Sequence, residues 1–144
     1  MQAVSGRKSQ DPIYSTMEEI SNEIKNSFTK IQEKNILFLI LGFNGEKAEL
    51  LQEGQNESNF ATFVTEIMEK ETGPENYRFG FFQFRRFFDN KEHVQTALFS
   101  FASEDCLWKH VKAAQTHFQR LRNAFSDIKR CHKVSKQDWA LFSL

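Results

Sequence analysis

The strongest constraint on the fold of this chain is an uninterrupted apolar run at residues 36–43, Ile-Leu-Phe-Leu-Ile-Leu-Gly-Phe. A strand with apolar residues at every position, and not at every second one, is typical of a sheet that is covered on both faces. Asn44 and Gly45 follow, and both residue types tolerate the positive φ of a tight hairpin turn. The residues after this turn, 47–51, are predicted to return as a second strand, which completes a β-hairpin.

Helical spacing of apolar residues appears on both sides of this hairpin. Ser15 and Glu18 have the spacing of a capping box, so the first helix is predicted to begin near Ser15. A second helix is predicted over residues 60–68, after a polar, turn-rich segment. The third and longest helix is the most regular element, with steps of three and four residues along its apolar stripe. This stripe consists of Leu107, Val111, Ala114, Phe118, Leu121 and Phe125.

Three more strands are predicted, over residues 77–84, 94–102 and 128–134, and residues 85–93 are interpreted as a charged connection. Ser135 and Asp138 are predicted to cap a short C-terminal helix. Strands and helices in this order favour an α/β (α+β) fold with a single mixed five-stranded sheet flanked by helices. Residues 1–14 lack periodicity and are predicted to be a flexible N-terminal extension, which leaves residues 15–144 as one domain.

Charge is balanced over the whole chain but is unevenly distributed. Residues 1–76 carry seven Lys and Arg against thirteen Asp and Glu, whereas residues 77–144 carry twelve against six. Zero net charge argues against a nucleic-acid partner, and the basic half is predicted to meet an anionic one. The chain has no nucleophile motif and no glycine-rich phosphate loop, so we expect neither an enzyme nor a cofactor.

Two cysteines and two histidines could in principle form a metal site, because thiolates and imidazoles are zinc ligands. Their spacing matches no common zinc arrangement, so no metal is predicted and the thiols are expected to be free. These residues are Cys106, His110, Cys131 and His132. His117 is interpreted as a surface or edge histidine. With no signal peptide and no membrane span in the sequence, we expect a cytoplasmic protein.

Three stretches resemble the ADF/cofilin-homology family, which includes the cofilins, the coactosins and the glia maturation factors. Residues 38–51 are similar to the first hairpin of fungal cofilins, while residues 78–84 and 97–105 are similar to the two central strands of coactosin. The order of the elements agrees as well, over most of residues 15–144. This resemblance implies the ADF-homology, gelsolin-like fold and a cytoskeletal protein that regulates actin filament dynamics by binding actin monomers, filaments or both, with depolymerisation as an associated activity.

The resemblance also implies two actin-binding surfaces. The first would be the long helix, with Lys109, Lys112 and Arg120 on its basic face. The second, used on filaments, would be the basic turn between the central strands, with Arg85, Arg86 and Lys91. Because actin is acidic, cations at both places would attract and hold it.

Other family features are carried over as expectations. Ser5 resembles the phosphorylated serine near the cofilin N-terminus, phosphoinositides are expected as further ligands, and the protein is expected to be a monomer. Residues 113–117 stand where cofilin has Tyr-Ala-Ser-Ser-Lys, which predicts weak or absent severing. The alternative hypothesis is a longin-like or profilin-like α/β adaptor that binds trafficking proteins or anionic lipid.

Overall fold

Each of the first two helices is followed by two strands and the third by one in the computed structural model, which describes residues 20–45, 47–69, 77–102, 106 and 108–134. The elements are α1 (Asn22–Gln32), β1 (Phe38–Asn44), β2 (Lys47–Gly54), α2 (Phe60–Glu69), β3 (Tyr77–Phe88), β4 (Lys91–Ala102), α3 (Trp108–Ala124) and β5 (Arg130–Val134). Within these residues, no helix combines the length and the apolar content needed to cross a bilayer.

The five strands form one sheet in the order β2-β1-β3-β4-β5. β5 pairs with β4 in parallel, and the other neighbouring strands are antiparallel. The prediction of a mixed five-stranded sheet flanked by helices is therefore confirmed.

β1 is buried on both of its faces, as the apolar run predicted. Leu39 and Leu41 point to the side that α1 and α3 cover, and they belong to the larger apolar cluster. Phe38 and Ile40 alternate with them and point to the side that α2 covers. Because each face of the sheet has its own apolar layer, the helices must lie on both sides of it.

The helix that contains the predicted stripe of Ile24, Phe28 and Ile31 begins at Asn22. Ser21 caps α1, and its Oγ accepts a hydrogen bond from the backbone N–H of Ile24 at 3.3 Å, which satisfies one of the free donors at the helix start. The capping box at Ser15 and Glu18 lies outside the described residues. So do the N-terminal extension, residues 1–14, and the short C-terminal helix expected after Ser135.

The interpretation of residues 85–93 as a charged connection is wrong. β3 and β4 stay paired as far as Phe88 and Lys91, and only Asp89 and Asn90 form the turn. The turn residues have φ of 55° and 62°, as a two-residue hairpin turn of type I′ requires. The last β3 residue that pairs with β1 is Phe82, and β5 begins to pair with β4 only at Ala97. Residues 84–95 therefore extend past the neighbouring strands as a two-stranded ribbon, here called the β3–β4 arm.

Gly80 lets α2 lie close to the centre of the sheet. A Cβ atom at this position would lie 2.5 Å from Cε1 of the Phe63 ring. We expect Gly80→Ala to lower the free energy of unfolding by about 1–3 kcal/mol, because the helix has to shift to admit the methyl group. Urea denaturation measures this change, and a loss under about 0.5 kcal/mol would show that α2 is not packed this closely.

Candidate functional site

The first exposed group of side chains lies at the start of α3. Trp108, Lys109 and Lys112 are all exposed, and Trp108 has 66% of its surface open to solvent. Positions 108 and 112 are one helical turn apart, and Nζ of Lys112 lies 5.0 Å from the centre of the Trp108 ring. These three residues are called the α3 ridge. An exposed indole beside two ammonium groups suits a surface that is part apolar and part anionic.

The charge at the start of α3 is opposite to what helix stability favours. The N-terminal end of a helix carries partial positive charge, so acidic residues stabilise it and basic ones do not. The first turn of α3 has no acidic residue and it contains Lys109, and Lys112 follows in the next turn. Since folding gains nothing from cations at this end, their presence points to a role in binding.

The prediction that Arg120 lies on the exposed face of α3 is wrong. Only 5% of its surface is exposed, and its NH1 atom lies 3.3 Å from Nδ1 of His117. The guanidinium carbon also lies 5.9 Å from the centre of the Phe43 ring. His117 is itself buried and stacks on Phe43 at 3.9 Å, so its interpretation as a surface histidine is wrong too. Because Phe43 packs against His117 and Arg120, the buried side of α3 includes Arg120.

The three cations predicted for the second surface have different environments on the β3–β4 arm. Arg85 is half-buried, and its guanidinium donates to Oε1 of Gln83 at 2.7 Å and to the carbonyl of Ile36 at 3.1 Å. It therefore holds the root of the arm against the segment that joins α1 to β1. Arg86 and Lys91 are exposed and extend the basic surface toward the tip.

A charged pair also fixes the arm near its tip. Lys34, which follows α1, donates a hydrogen bond to the carboxylate of Glu92 on β4. This hydrogen bond lowers the pKa of the Glu92 carboxyl below its usual value, and the positive charges of Lys34 and Arg85 act in the same direction. The arm is thus tied to the rest of the domain on one side by Arg85 and by Glu92.

The α3 ridge and the arm tip lie at opposite ends of β4. This strand begins at Lys91, beside the tip, and ends at Ala102, a few residues before α3. Its twelve residues span about 40 Å at the usual rise per residue. The structure thus groups Lys109 with Lys112, and Arg86 with Lys91, as two separate surfaces.

Two exposed residues at the arm tip were not identified from the sequence. Phe87 is 73% exposed and Phe88 is 50% exposed. Two adjacent phenylalanines among charged residues are the signal in the sequence, and the interpretation of residues 85–93 as a charged connection gives them no role. Once the strands are extended to the turn, both rings are seen to lie at the outer end of a ribbon.

The structure gives no support for a metal site at the cysteines and histidines. Cys131 and His132 are adjacent in β5, and their side chains point to opposite faces of the sheet. Cys131 packs against the α1 and α3 side, whereas His132 packs against Phe99 on the α2 side. Burial raises the pKa of the Cys131 thiol and lowers that of His132. Among the residues that the structure describes, no cluster of three or more His, Cys, Asp or Glu could hold an ion.

The predicted phosphorylation site, Ser5, lies outside the described residues. Its role remains the expectation that the family resemblance gave.

The fold is similar to that of several solved structures. Human coactosin-like protein matches with a TM-score of 0.68 at 11% identity, over 83% of this chain and 88% of that one. The cofilin of Streptomyces griseoflavus matches with a TM-score of 0.65 at 11% identity, over 86% and 90%. Mouse coactosin, described as an actin filament binding protein, matches with a TM-score of 0.62 at 11% identity, over 83% and 82%. At such low identity these matches show a shared fold only.

A comparison with curated protein sequences found no match. The family assignment therefore comes from the sequence pattern of a whole family. A model of the cofilin/tropomyosin-type actin-binding proteins matches residues 17–139, which is most of the chain and includes every described element. The chain belongs to the cofilin/ADF family of actin-binding proteins.

Proposed function

We propose that this protein binds actin directly, with the α3 ridge as its main contact. The observation that carries the proposal is the exposed group of Trp108, Lys109 and Lys112 at a helix end where cations are unfavourable for folding. Tryptophan is one of the residue types that most often dominate binding energy, and lysines beside it would steer an acidic partner into place. Actin is acidic and is the partner that defines the family.

The β3–β4 arm is the second contact in this proposal, and it is used on filaments. The arm tip and the α3 ridge lie at opposite ends of β4, so one molecule could touch two neighbouring subunits of a filament. The fold shared with mouse coactosin, described as an actin filament binding protein, supports filament binding. Because residues 113–117 replace the Tyr-Ala-Ser-Ser-Lys element of cofilin, we infer side binding with weak or absent severing.

Two binding assays test this function. Cosedimentation with filaments and a fluorescence titration of labelled monomers should both detect an interaction that weakens with added salt, because part of the contact is between exposed charges. If the protein bound neither form of actin, the proposal would be wrong. Flotation with anionic liposomes in the absence of any actin binding would favour the adaptor class instead.

The arm cations provide a variant that separates the two surfaces. We expect Arg86→Glu/Lys91→Glu to weaken filament binding by about tenfold and to change monomer binding by less than about twofold, since only the filament contact would use the arm. The same two assays measure both effects. Lys47→Glu serves as a control because Lys47 is exposed on β2, toward the other end of the sheet. Equal losses for monomers and filaments would contradict a filament-specific arm.

A further inference from the structure

The β3–β4 arm carries three of the four large hydrophobic side chains that are exposed in the described part of the chain. Phe87 and Phe88 lie at the tip, and Val94 pairs with Arg85 near the root. A soluble domain gains nothing by holding phenylalanine rings in water, and exposed apolar groups that cluster typically mark a binding site. The position of these rings on a projecting ribbon makes them accessible to a partner.

The arm is held in one conformation before any partner binds. The Phe88 ring stacks on His93 at 3.7 Å, with only 8° between the two ring planes. At the root, Arg85 donates to the carbonyl of Ile36, and nearer the tip Glu92 accepts from Lys34. Because the strands are already paired and the Phe88 ring is already stacked, binding would cost little conformational entropy.

Burial of both phenylalanine rings requires a partner surface with two walls. Successive residues in a strand point to opposite faces, so the Phe87 and Phe88 rings lie on opposite sides of the ribbon. A flat protein surface could cover only one of them. Both rings are buried only if the tip enters a cleft.

The charges around the tip favour a protein cleft over a lipid bilayer. Asp89 lies in the turn that would enter first, and a carboxylate there opposes insertion between anionic lipids. Arg86 and Lys91 flank the rings and are exposed, so they can face an acidic rim once the tip is inside. An apolar cleft with an acidic rim is therefore the surface that fits the arm.

We propose that Phe87 and Phe88 insert into an apolar cleft between neighbouring subunits of the actin filament and thereby set a preference for filaments over monomers. This inference rests on the proposed actin-binding function and goes beyond the charged contacts described above. A cleft between subunits has two walls and does not exist on a single monomer. Apolar contacts are not screened by salt, so filament binding keeps a component that high salt does not remove.

The test compares wild type with the Phe87→Ser/Phe88→Ser variant in filament cosedimentation at low and high salt, and in monomer titration. We expect filament affinity to fall by about tenfold or more at both salt concentrations, because both anchors are lost. Monomer affinity should change by less than about twofold, since monomers lack the cleft. Thermal unfolding of the variant should stay close to that of wild type, because Phe87 is largely exposed and the half-exposed Phe88 loses only its stacking on His93.

The control variant is Phe87→Leu/Phe88→Leu, which keeps apolar side chains and should keep most of the filament affinity. Filament binding by the serine variant equal to that of wild type would overturn this inference, and an equal loss for monomers and filaments would do the same. Loss of binding to phosphatidylserine vesicles with filament affinity unchanged would identify the tip as a lipid contact instead. A wild type that binds neither form of actin would refute the proposed function, which is a different outcome from each of these.

Discussion

We expect the Lys109→Glu/Lys112→Glu variant to bind monomeric actin about tenfold or more weakly than wild type, because both charges would change from attracting an acidic surface to repelling it. Both lysines are exposed at the start of α3, so the fold does not depend on their charge. Glutamate at a helix N-terminus is favourable, and the variant should be at least as stable as wild type. Titration of fluorescent actin monomers and thermal unfolding measure the two effects.

A control for this variant must change the net charge equally at another place. Lys129→Glu/Lys133→Glu does so, because both lysines are exposed and both lie beyond the end of α3. This control should keep monomer affinity within about threefold, since only long-range attraction is altered. Equal weakening by the two variants would mean that actin responds to overall charge and does not contact the α3 ridge.

The second large effect is on stability. We expect Phe63→Ala to lower the free energy of unfolding by about 3–5 kcal/mol, because the change leaves a cavity between α2 and the sheet. Phe63 is fully buried and packs against other aromatic rings on that side of the sheet. Its ring centre lies 5.2 Å from that of Phe38, 5.3 Å from that of Phe82 and 5.5 Å from that of Phe99.

Phe87→Ala is the matched control for this stability change, because it removes the same ring from a site that is 73% exposed. The control should change the free energy of unfolding by less than about 0.5 kcal/mol, as is usual for surface positions. Urea denaturation of both variants measures the difference between the two sites. Similar values for the two would contradict the packing of α2 on the sheet.

The sequence predicted the fold well because its strongest patterns are local. The apolar run at residues 36–43 predicted a strand with cover on both faces, and the structure places β1 inside the sheet between β2 and β3. The stripe that includes Ala114, Phe118 and Leu121 predicted the long helix, and all three residues are buried. Each pattern follows from the spacing of apolar residues within one helix or strand, so it can be recognised from local sequence alone.

The environment of Arg120 could not be predicted in this way. The periodicity of α3 predicts the centre of its buried side. It does not predict how many residues beside that centre are buried, because this depends on what packs against the helix. His117 stacks on Phe43 of β1, a residue distant in sequence, and this contact encloses Arg120. Prediction of such a contact requires the tertiary arrangement of β1 and α3.

The β3–β4 arm was missed for a different reason. The charged residues at 85–93 favour a loop, and the strand-forming residues among them, Phe87 and Phe88, are too few to outweigh that signal. The dipeptide Asp89-Asn90 is a turn signal within the segment, because both residue types tolerate positive φ. Most residues of the segment are polar or charged because it projects from the sheet, where no helix covers it with an apolar layer.

Hydrogen–deuterium exchange of the protein, alone and with actin, tests the central proposal most directly. With actin monomers, we predict slower backbone exchange at residues 108–116, where the α3 ridge lies, and additional slowing at residues 84–95 with filaments. The groove between α1 and β2, lined by Glu23, Lys30 and Glu53, serves as an internal reference whose exchange should not change. Exchange at residues 108–116 that is the same with and without bound actin, or slowing confined to that groove, would contradict the proposal.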